Sequence, residues 1–446
     1  MPVFQRVRAS LRRYVKRTAK LPGQVGQHSP LTADLYRPWL AILRRRILTK
    51  ITFVGVTGSC GKTTTTQLIG AVLSSAGECR IDSGGPHNAA RDMLSLKASN
   101  KYCVHEVHGS APGRIKEHVR ILRPRIGVVT NVGQDHYKNY RTLEATALEK
   151  GRLVEWLPRD GVAILNADDP HVLAMAGRTA ARVMTYGLSP DTDLRATDIS
   201  GAWPDRLSLT VVHGNERLRL HTRFLGDYWT TSVLAAIACG IACGLDLKSC
   251  ADAIAVCEPA FGRCSVHSVP NDSHYVLDSK KAPLWTVANS FALMRSAAAA
   301  RKTMIFGTIS DYPGSGSRTY RKVARQALDV VDRVVFVGPQ ASHVDRLRQG
   351  DIRDRLFAFE TSYQASAHLA SSAVAGELIF VKASLTDHLE RLMLDRLGEV
   401  VCWRERCGKL SACPECKRYR RPHPAPFSLA RVADSIAEVA EAPGGA

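Results

Sequence analysis

From residue 51 onward, short apolar runs alternate with stretches that repeat their apolar positions at helical spacing. The runs at 51–57, 102–107, 126–131 and 162–166 have strand length, and the stretches between them read as helices. That alternation predicts a mainly parallel sheet with helices packed on it. Residues 193–224 switch to period two. Two alternating segments, 207–212 and 218–224, flank His213-Gly214-Asn215, which predicts a hairpin. Helices are expected next at 229–244 and 247–256. A second alternating block opens near Tyr275, with strands expected at 275–278, 303–307, 333–338, 356–359 and 378–382 and helices at 285–300 and 320–331. The fold class is therefore α/β: a P-loop-type, mainly parallel central domain followed by a dinucleotide-fold-like α/β domain. The pattern divides the chain into a basic arm at 1–50, a central domain at 51–262, a C-terminal domain at 263–400 and a four-cysteine segment with a tail at 401–446.

Composition changes this picture at the two ends. The 446 residues carry a net charge of +20. Residues 1–50 hold twelve Lys/Arg against one acid, and residues 401–421 hold seven against two. In the first segment Arg6, Arg8, Arg12, Arg13, Lys16, Arg17 and Lys20 alternate with Val3, Phe4, Val7, Leu11, Tyr14 and Val15. An amphipathic helix on anionic lipid fits this pattern, and so does a packed helix with a wet basic face. Nucleic acid fits less well, because aromatic residues are sparse among the charges. The longest apolar run, 233–245, is short and Ala-rich and reads as a buried helix, not a membrane span. The first twenty residues have no apolar core of a secretion signal, so a cytoplasmic location is expected. Eight of the twelve cysteines are scattered, as reduced thiols would be.

Candidate chemistry begins at the end of the first strand. Thr57-Gly58-Ser59-Cys60-Gly61-Lys62-Thr63-Thr64 joins a strand to a helix and forms a phosphate cradle. Loop amides and the helix dipole favour an anion, Lys62 reaches terminal phosphates, and the Thr63 hydroxyl can ligate Mg2+. The strict Walker pattern would place a glycine at position 56, where this chain has Val56. ATP is the expected ligand. Glu106 and His136 each lie just beyond a strand end of the same expected sheet, where ligands of open parallel sheets gather. Both are candidates to approach the phosphates and a metal, although Mg2+ prefers oxygen.

These residues resemble the Mur ligase family of ATP-dependent amide-forming enzymes. The resemblance runs from Thr57–Thr64 through Glu106, Thr130-Asn131 with Asp135-His136, Glu149-Lys150-Gly151 and Asn166-Ala-Asp168-Asp169-Pro170. It continues in Phe261-Gly262-Arg263, Tyr275-Val-Leu-Asp278 with Pro283, and Val381-Lys382-Ala383-Ser384. The Lys150 and Asp168 runs look most like those of the D-alanyl-D-alanine-adding branch. The resemblance implies a carboxylate–amine ligase working through an acyl phosphate, with small-molecule carboxylate and amine substrates from cell-wall or peptide chemistry. It implies that Lys150 is carbamylated and joins Glu106 and His136 around a second Mg2+, and that Asn88 lies near the transferred phosphate. It further implies that Arg263 and Asp278 close over ATP from the C-terminal domain, with Asp278 on the ribose.

The chain also departs from the family. The stretch matching Gly-x-His-Asn-x-x-Asn is Gly226-Asp-Tyr-Trp229-Thr-Thr-Ser232, without either asparagine, and Asp-Tyr-Ala-His has become Asp278-Ser-Lys-Lys. A nucleotide-sugar domain does not fit in fifty residues. The short arm resembles that of members acting on lipid-linked or polymeric acceptors. Two other functions therefore stay open: an ammonia-using ligase subunit fed by a glutaminase partner, and a nucleotide-binding scaffold without ligase chemistry. Finally, Cys402-x4-Cys407-x5-Cys413-x2-Cys416 has spacing suited to four thiolates on one structural Zn2+.

Overall fold

The computed structural model describes residues 31–82, 86–398, 400–405, 407–416 and 418–420, without the side chains of 31–37 and 86–88. The alternating basic pattern of 3–20 and the tail after 420 lie outside the described residues. The chain divides into two compact units. One runs to Ala260 and includes Asp311–Pro313; the other is Phe261–Ser310 and the chain from Gly314 onward.

In the first unit α1 (Leu31–Ile47) leads into β1 (Thr52–Thr57), α2 (Lys62–Ser74), β2 (Cys79–Asp82), α3 (Pro86–Ser95) and β3 (Tyr102–Glu106). Next come α4 (Arg114–Leu122), β4 (Ile126–Val129), α5 (Leu143–Glu155), β5 (Val162–Asn166) and the short α6 (Pro170–Leu173). Strands β6 (Arg182–Gly187), β7 (Leu194–Ser200), β8 (Ser208–His213) and β9 (Glu216–His221) follow, then α7 (Thr230–Ala242) and α8 (Leu247–Ala255). The nine strands form one sheet in the order β2-β3-β1-β4-β5-β6-β7-β8-β9. Pairing is parallel from β2 to β7 and antiparallel at β7–β8 and β8–β9.

Strands β3, β4 and β5 are buried along their whole length. This is why they read as continuous apolar runs: parallel strands covered on both faces need no polar face. The expected hairpin is β8–β9. Strands β2, β6 and β7 carry no comparable apolar run and were not legible. Cys79-Arg-Ile-Asp is a four-residue edge, and half of β6 is solvent-touched.

The run at 233–245 is a buried helix as far as Gly240, and the helix ends at Ala242. In α7, Val233 to Gly240 are all buried. A Cβ at Gly240 would sit 2.4 Å from Cys250 Sγ and 2.6 Å from Val72 Cγ1, so glycine here lets α7 press against both α2 and α8. Helix α1 packs on the opposite part of the core, where Ala41 and Leu48 join Ala89, Met93, Val119 and Leu122. Two of its arginines are structural. Arg45 donates to Leu122 O at 2.8 Å and Arg123 O at 2.9 Å and lies 3.9 Å over the Phe53 ring, while Arg44 donates to Leu96 O. Other α1 side chains face outward: Trp39, Leu40, Leu43 and Ile47 are exposed, beside exposed Arg46.

The second unit carries β10 (Ser265–Val269), β11 (Ser273–Asp278), α9 (Val287–Ser296), β12 (Arg301–Phe306), α10 (Gly316–Leu328) and β13 (Arg333–Val337). It continues with β14 (Leu356–Phe359), α11 (Ser362–Ser371), β15 (Glu377–Lys382), α12 (Arg391–Leu397) and the one-turn α13 (Cys413–Cys416). Its sheet order is β10-β11-β15-β12-β13-β14, parallel except for β10 at the edge. All five expected strands are present, and β10 is the addition. A buried ion network joins three of them: Glu377 takes Arg333 Nη2 and Arg301 Nη2, each at 2.7 Å, and accepts from Thr303 Oγ1.

Candidate active site

Strand β1 lies between β3 and β4, and the chain visits β2 and β3 on one side before crossing to β4 on the other. The crevice beyond β1 is thus the point where strand order reverses, the usual ligand site of an open parallel sheet. The loop 58–61 sits there. Val56, at the missing Walker glycine, is a fully buried strand residue paired with Glu106 and Val128. The sharp turn instead begins at Gly58, whose φ is 149° and where a Cβ would fall 1.9 Å from Thr130 Oγ1. Gly61, at φ 79°, caps α2 in the left-handed region.

The segment after β4 pins this loop. Ser59 N–H donates to Asn131 O at 3.0 Å, Cys60 N–H to Asn131 Oδ1 at 2.8 Å, and Thr130 Oγ1 to Cys60 O at 2.7 Å. Ser59 Oγ accepts from Gly133 N–H at 2.8 Å. The Ser59 and Cys60 amides are therefore spent on the neighbouring loop and do not face inward as expected. The anion-facing amides are those at the start of α2, ahead of the helical bond from Thr65 N–H to Gly61 O. The first turn of α2 contains no acid to oppose an anion. The run 166–170 supports the arrangement from behind: Asn166 Nδ2 donates to Thr130 O at 2.9 Å, and Asp169 Oδ2 accepts from Val132 N–H at 2.7 Å.

Two carboxylates organise the polar side chains. Glu106 Oε2 accepts from Thr63 Oγ1 at 2.9 Å, and its Oε1 is 3.6 Å from His108 Nε2. Asp135, almost fully buried, places Oδ2 at 3.6 Å from His136 Nε2 and at 3.9 Å from both Lys62 Nζ and Lys150 Nζ. The same two ammonium groups donate to Gly58 O, Lys62 at 2.7 Å and Lys150 at 2.9 Å. Lys150 is buried, far from the solvated position usual for lysine.

The Thr63–Glu106 oxygen pair fits Mg2+. Two ligands at about 2.05 Å on neighbouring corners of an octahedron lie about 2.9 Å apart, which is the separation seen here. The expected second set is not gathered in this way. His136 and Lys150 meet on Asp135, while Glu106 pairs with Thr63 and His108. Among the described residues, Glu106 and His136 belong to no set of three His, Cys, Asp or Glu ligand atoms lying within 4.8 Å of one another.

Sequence reasoning passed over Asp135 and His108 as site residues. Their signals were their places beside His136 and two residues after Glu106. Burial holds the His108 imidazole below its usual pKa, so it is neutral at pH 7 and adds no cation to Glu106. Glu149, beside Lys150, accepts from the Gly113 and Ile115 amides, each at 2.9 Å, and anchors the start of α4. Asn88 lies in the first turn of α3, with its side chain outside the described residues.

Residues 56–240 match the model of the Mur ligase middle domain. That stretch of the chain, which carries the phosphate loop, is a Mur ligase middle domain. It is 26% identical over 394 residues to the UDP-N-acetylmuramoyl-tripeptide–D-alanyl-D-alanine ligase of Mycobacterium leprae, covering 80% of this chain and 76% of that protein. It is 28% identical over 325 residues to the same-named ligase of Mycobacterium tuberculosis, covering 70% of this chain and 63% of that protein. The fold matches MurF from Acinetobacter baumannii with a TM-score of 0.74 at 20% identity, over 84% of this chain and 83% of that one. It also matches the Thermotoga maritima MurF ligase, solved in complex with ADP, with a TM-score of 0.69 at 17% identity over 84% and 85%.

Within this Mur ligase fold, the positions of the two lost asparagines have structural occupants. Trp229 is buried against Phe224 and Tyr228, and Ser232 Oγ accepts from Thr65 Oγ1 at 3.0 Å. In the second unit, Arg263 lies in the turn before β10. Asp278, expected on the ribose, is bonded to Lys382 directly across β15. The four cysteines of the C-terminal segment line one cavity of about 140 Å3 with His388 and Arg391.

Proposed function

We propose that this chain is an ATP-dependent carboxylate–amine ligase that acts on a peptidoglycan-type precursor, as the names of its relatives describe for them. The observation that carries the reading is the Thr63–Glu106 oxygen pair beside a phosphate loop whose backbone is already fixed by Asn131. Mg2+, held there by Thr63 and Glu106, would neutralise phosphate charge. Lys62 would leave Gly58 O for the phosphates. A substrate carboxylate oxygen bonds to the γ-phosphorus as the bond to the β-phosphate oxygen breaks, releasing ADP. The amine nitrogen then bonds to the acyl carbon, phosphate leaves, and the nitrogen gives up its proton to solvent or a neighbouring base. Lys62 and the α2 amides stabilise the charge on the transferred group.

Carbamylation of Lys150 rests on the family resemblance; here its amine donates to Gly58 O and faces Asp135. A carbamate there would put a second negative group close to Asp135, a pairing that needs a cation between the two. In the unmodified protein there is no second anion, and the ammonium itself faces Asp135.

The experiment is ADP release with Mg2+, ATP, UDP-N-acetylmuramoyl-tripeptide and D-alanyl-D-alanine, with mass spectrometry of products. ADP released together with a condensed product is expected. No ADP with this pair or with a panel of other acids and amines would defeat the ligase reading and leave the scaffold function. Running ammonia and amino acids as separate nucleophiles distinguishes a glutaminase-fed enzyme from an amino-acid-adding one.

For location, we propose a cytoplasmic protein that touches anionic membrane through residues 1–50. The exposed stripe Trp39, Leu40, Leu43 and Ile47 beside Arg46 supports this. The double variant Trp39→Glu, Leu43→Glu should lose binding to phosphatidylglycerol vesicles. Unchanged binding counts against the stripe.

A further inference from the structure

Among the described residues of the C-terminal segment, regular structure is limited to one turn at Cys413–Cys416 and a 3-10 turn at Arg418–Arg420. It is nonetheless folded back, with Val401 N–H on Tyr419 O at 2.9 Å and Cys413 N–H on Glu390 Oε1 at 2.8 Å. Segments of this kind are commonly held by a bound metal centre. All four cysteines face the same cavity of about 140 Å3, which His388, Arg391, Arg404, Lys409 and Arg418 also line.

The size and spacing of this cavity are informative. One zinc ion bound by four thiolates at about 2.3 Å draws the sulfurs to about 3.8 Å from each other and leaves no space between them. Here, among the described residues, the set of three His, Cys, Asp or Glu ligand atoms lying within 4.8 Å of one another is His388, Glu390 and Cys413. No three of the cysteine sulfurs come that close. They stand around a space that would hold several waters. An iron–sulfur cluster puts both iron and sulfide between its cysteine ligands and so needs such a space.

The surroundings suit an anionic cluster. Arg391 Nε donates to Cys413 Sγ at 3.3 Å, and His388 Nε2 lies 2.9 Å from Cys407 Sγ. Four cationic side chains line the cavity, while Glu390 turns its Oε1 to His388 Nδ1, 3.3 Å away, and to the Cys413 amide.

We propose that Cys402, Cys407, Cys413 and Cys416 hold an iron–sulfur cluster, replacing the single zinc that their sequence spacing suggests. The cluster fastens the basic C-terminal segment to the end of the second unit at α12. It is independent of the ligase reading, since none of its ligands belongs to the phosphate site.

The test is metal analysis of the full chain, expressed with iron and purified without oxygen. The expected result is brown protein with about four iron and four acid-labile sulfide per chain and a paramagnetic signal after reduction with dithionite. Cys413→Ser and Cys416→Ser should each lower the iron content by roughly fivefold or more, while Cys257→Ser, outside the cavity, should leave it unchanged. About one zinc per chain with no iron would overturn the proposal. So would wild-type protein that stays metal-free after anaerobic incubation with ferric iron, sulfide and a thiol reductant. The wild-type result decides the question even if a cysteine variant fails to fold.

Discussion

Gly58 O is where the two functional lysines meet, and their variants should differ. Lys62→Ala removes the group that would follow the phosphates, so ADP formation should fall at least ~10²–10³-fold. Lys150→Ala takes a buried cation from Asp135 and should lower activity comparably while also lowering the melting temperature. ADP assays with calorimetry check both, and full activity of Lys150→Ala would remove any metal or charge role for it. Gly58→Ala should be more damaging than its size suggests. The methyl would fall on Thr130 Oγ1, at a backbone angle that L-residues rarely adopt. A folded, fully active Gly58→Ala protein would contradict this geometry. At this scale much was legible. The loop was legible by residue type, Glu106 and His136 were singled out by their places beyond strand ends, and Lys150 by the family resemblance. Asp135 did not, because its role comes from a turn at Gly133–His136 that brings one oxygen under three cationic or titratable groups. No spacing rule encodes that convergence.

Elements explain both what the pattern revealed and what it hid. Strands buried on both faces tend to be apolar, so β1, β4, β5, β13 and β15 stood out; β14 did too, although it is an edge strand with only Leu356 buried. Edge strands such as β2 and β10 pair on one side only and need no such run. The interior of the second unit also holds charge. Glu377 is satisfied by Arg301, Arg333 and Thr303, so Glu377→Ala would leave Arg333 buried without its partner. That change should cost about 3–5 kcal/mol in chemical denaturation; a loss under about 1 kcal/mol would show that the network relaxes. In α11, His368 lies 4.3 Å from the Phe357 ring and 5.1 Å from Phe359. Burial first, then Arg333 and Arg301, hold its pKa below the ordinary value. A depressed histidine is neutral in the native protein and charges more readily when unfolded. Its contribution is therefore intact above about pH 6.5 and is lost as pH falls through the lower, folded value. Melting temperature should drop in that acid range, and His368→Phe should shrink the drop. An unchanged acid profile would count against this role for the histidine.

For the whole molecule, the charge of +20 is concentrated at the two ends of the sequence. Attachment to anionic vesicles should accordingly weaken steeply between ~0.05 and ~0.5 M salt, as the Debye length shrinks. Salt-independent attachment would instead assign it to the apolar stripe. Sequence gave the two ends a single description, as basic segments. Packing separates them: Arg404, Lys409 and Arg418 surround thiols, while Arg44 and Arg45 of α1 turn to the domain interior and Arg46 to solvent.

That division makes the N-terminal fifty residues unsafe to treat as a removable appendage. Cutting at residue 30 spares every described contact of α1. Cutting at residue 50 takes Ala41 and Leu48 out of the core and leaves the carbonyls of Leu96, Leu122 and Arg123 without the guanidiniums that cap them. A shortened protein of the second kind that lost its activity would be reporting a damaged scaffold around the phosphate loop, and would say nothing about lipids.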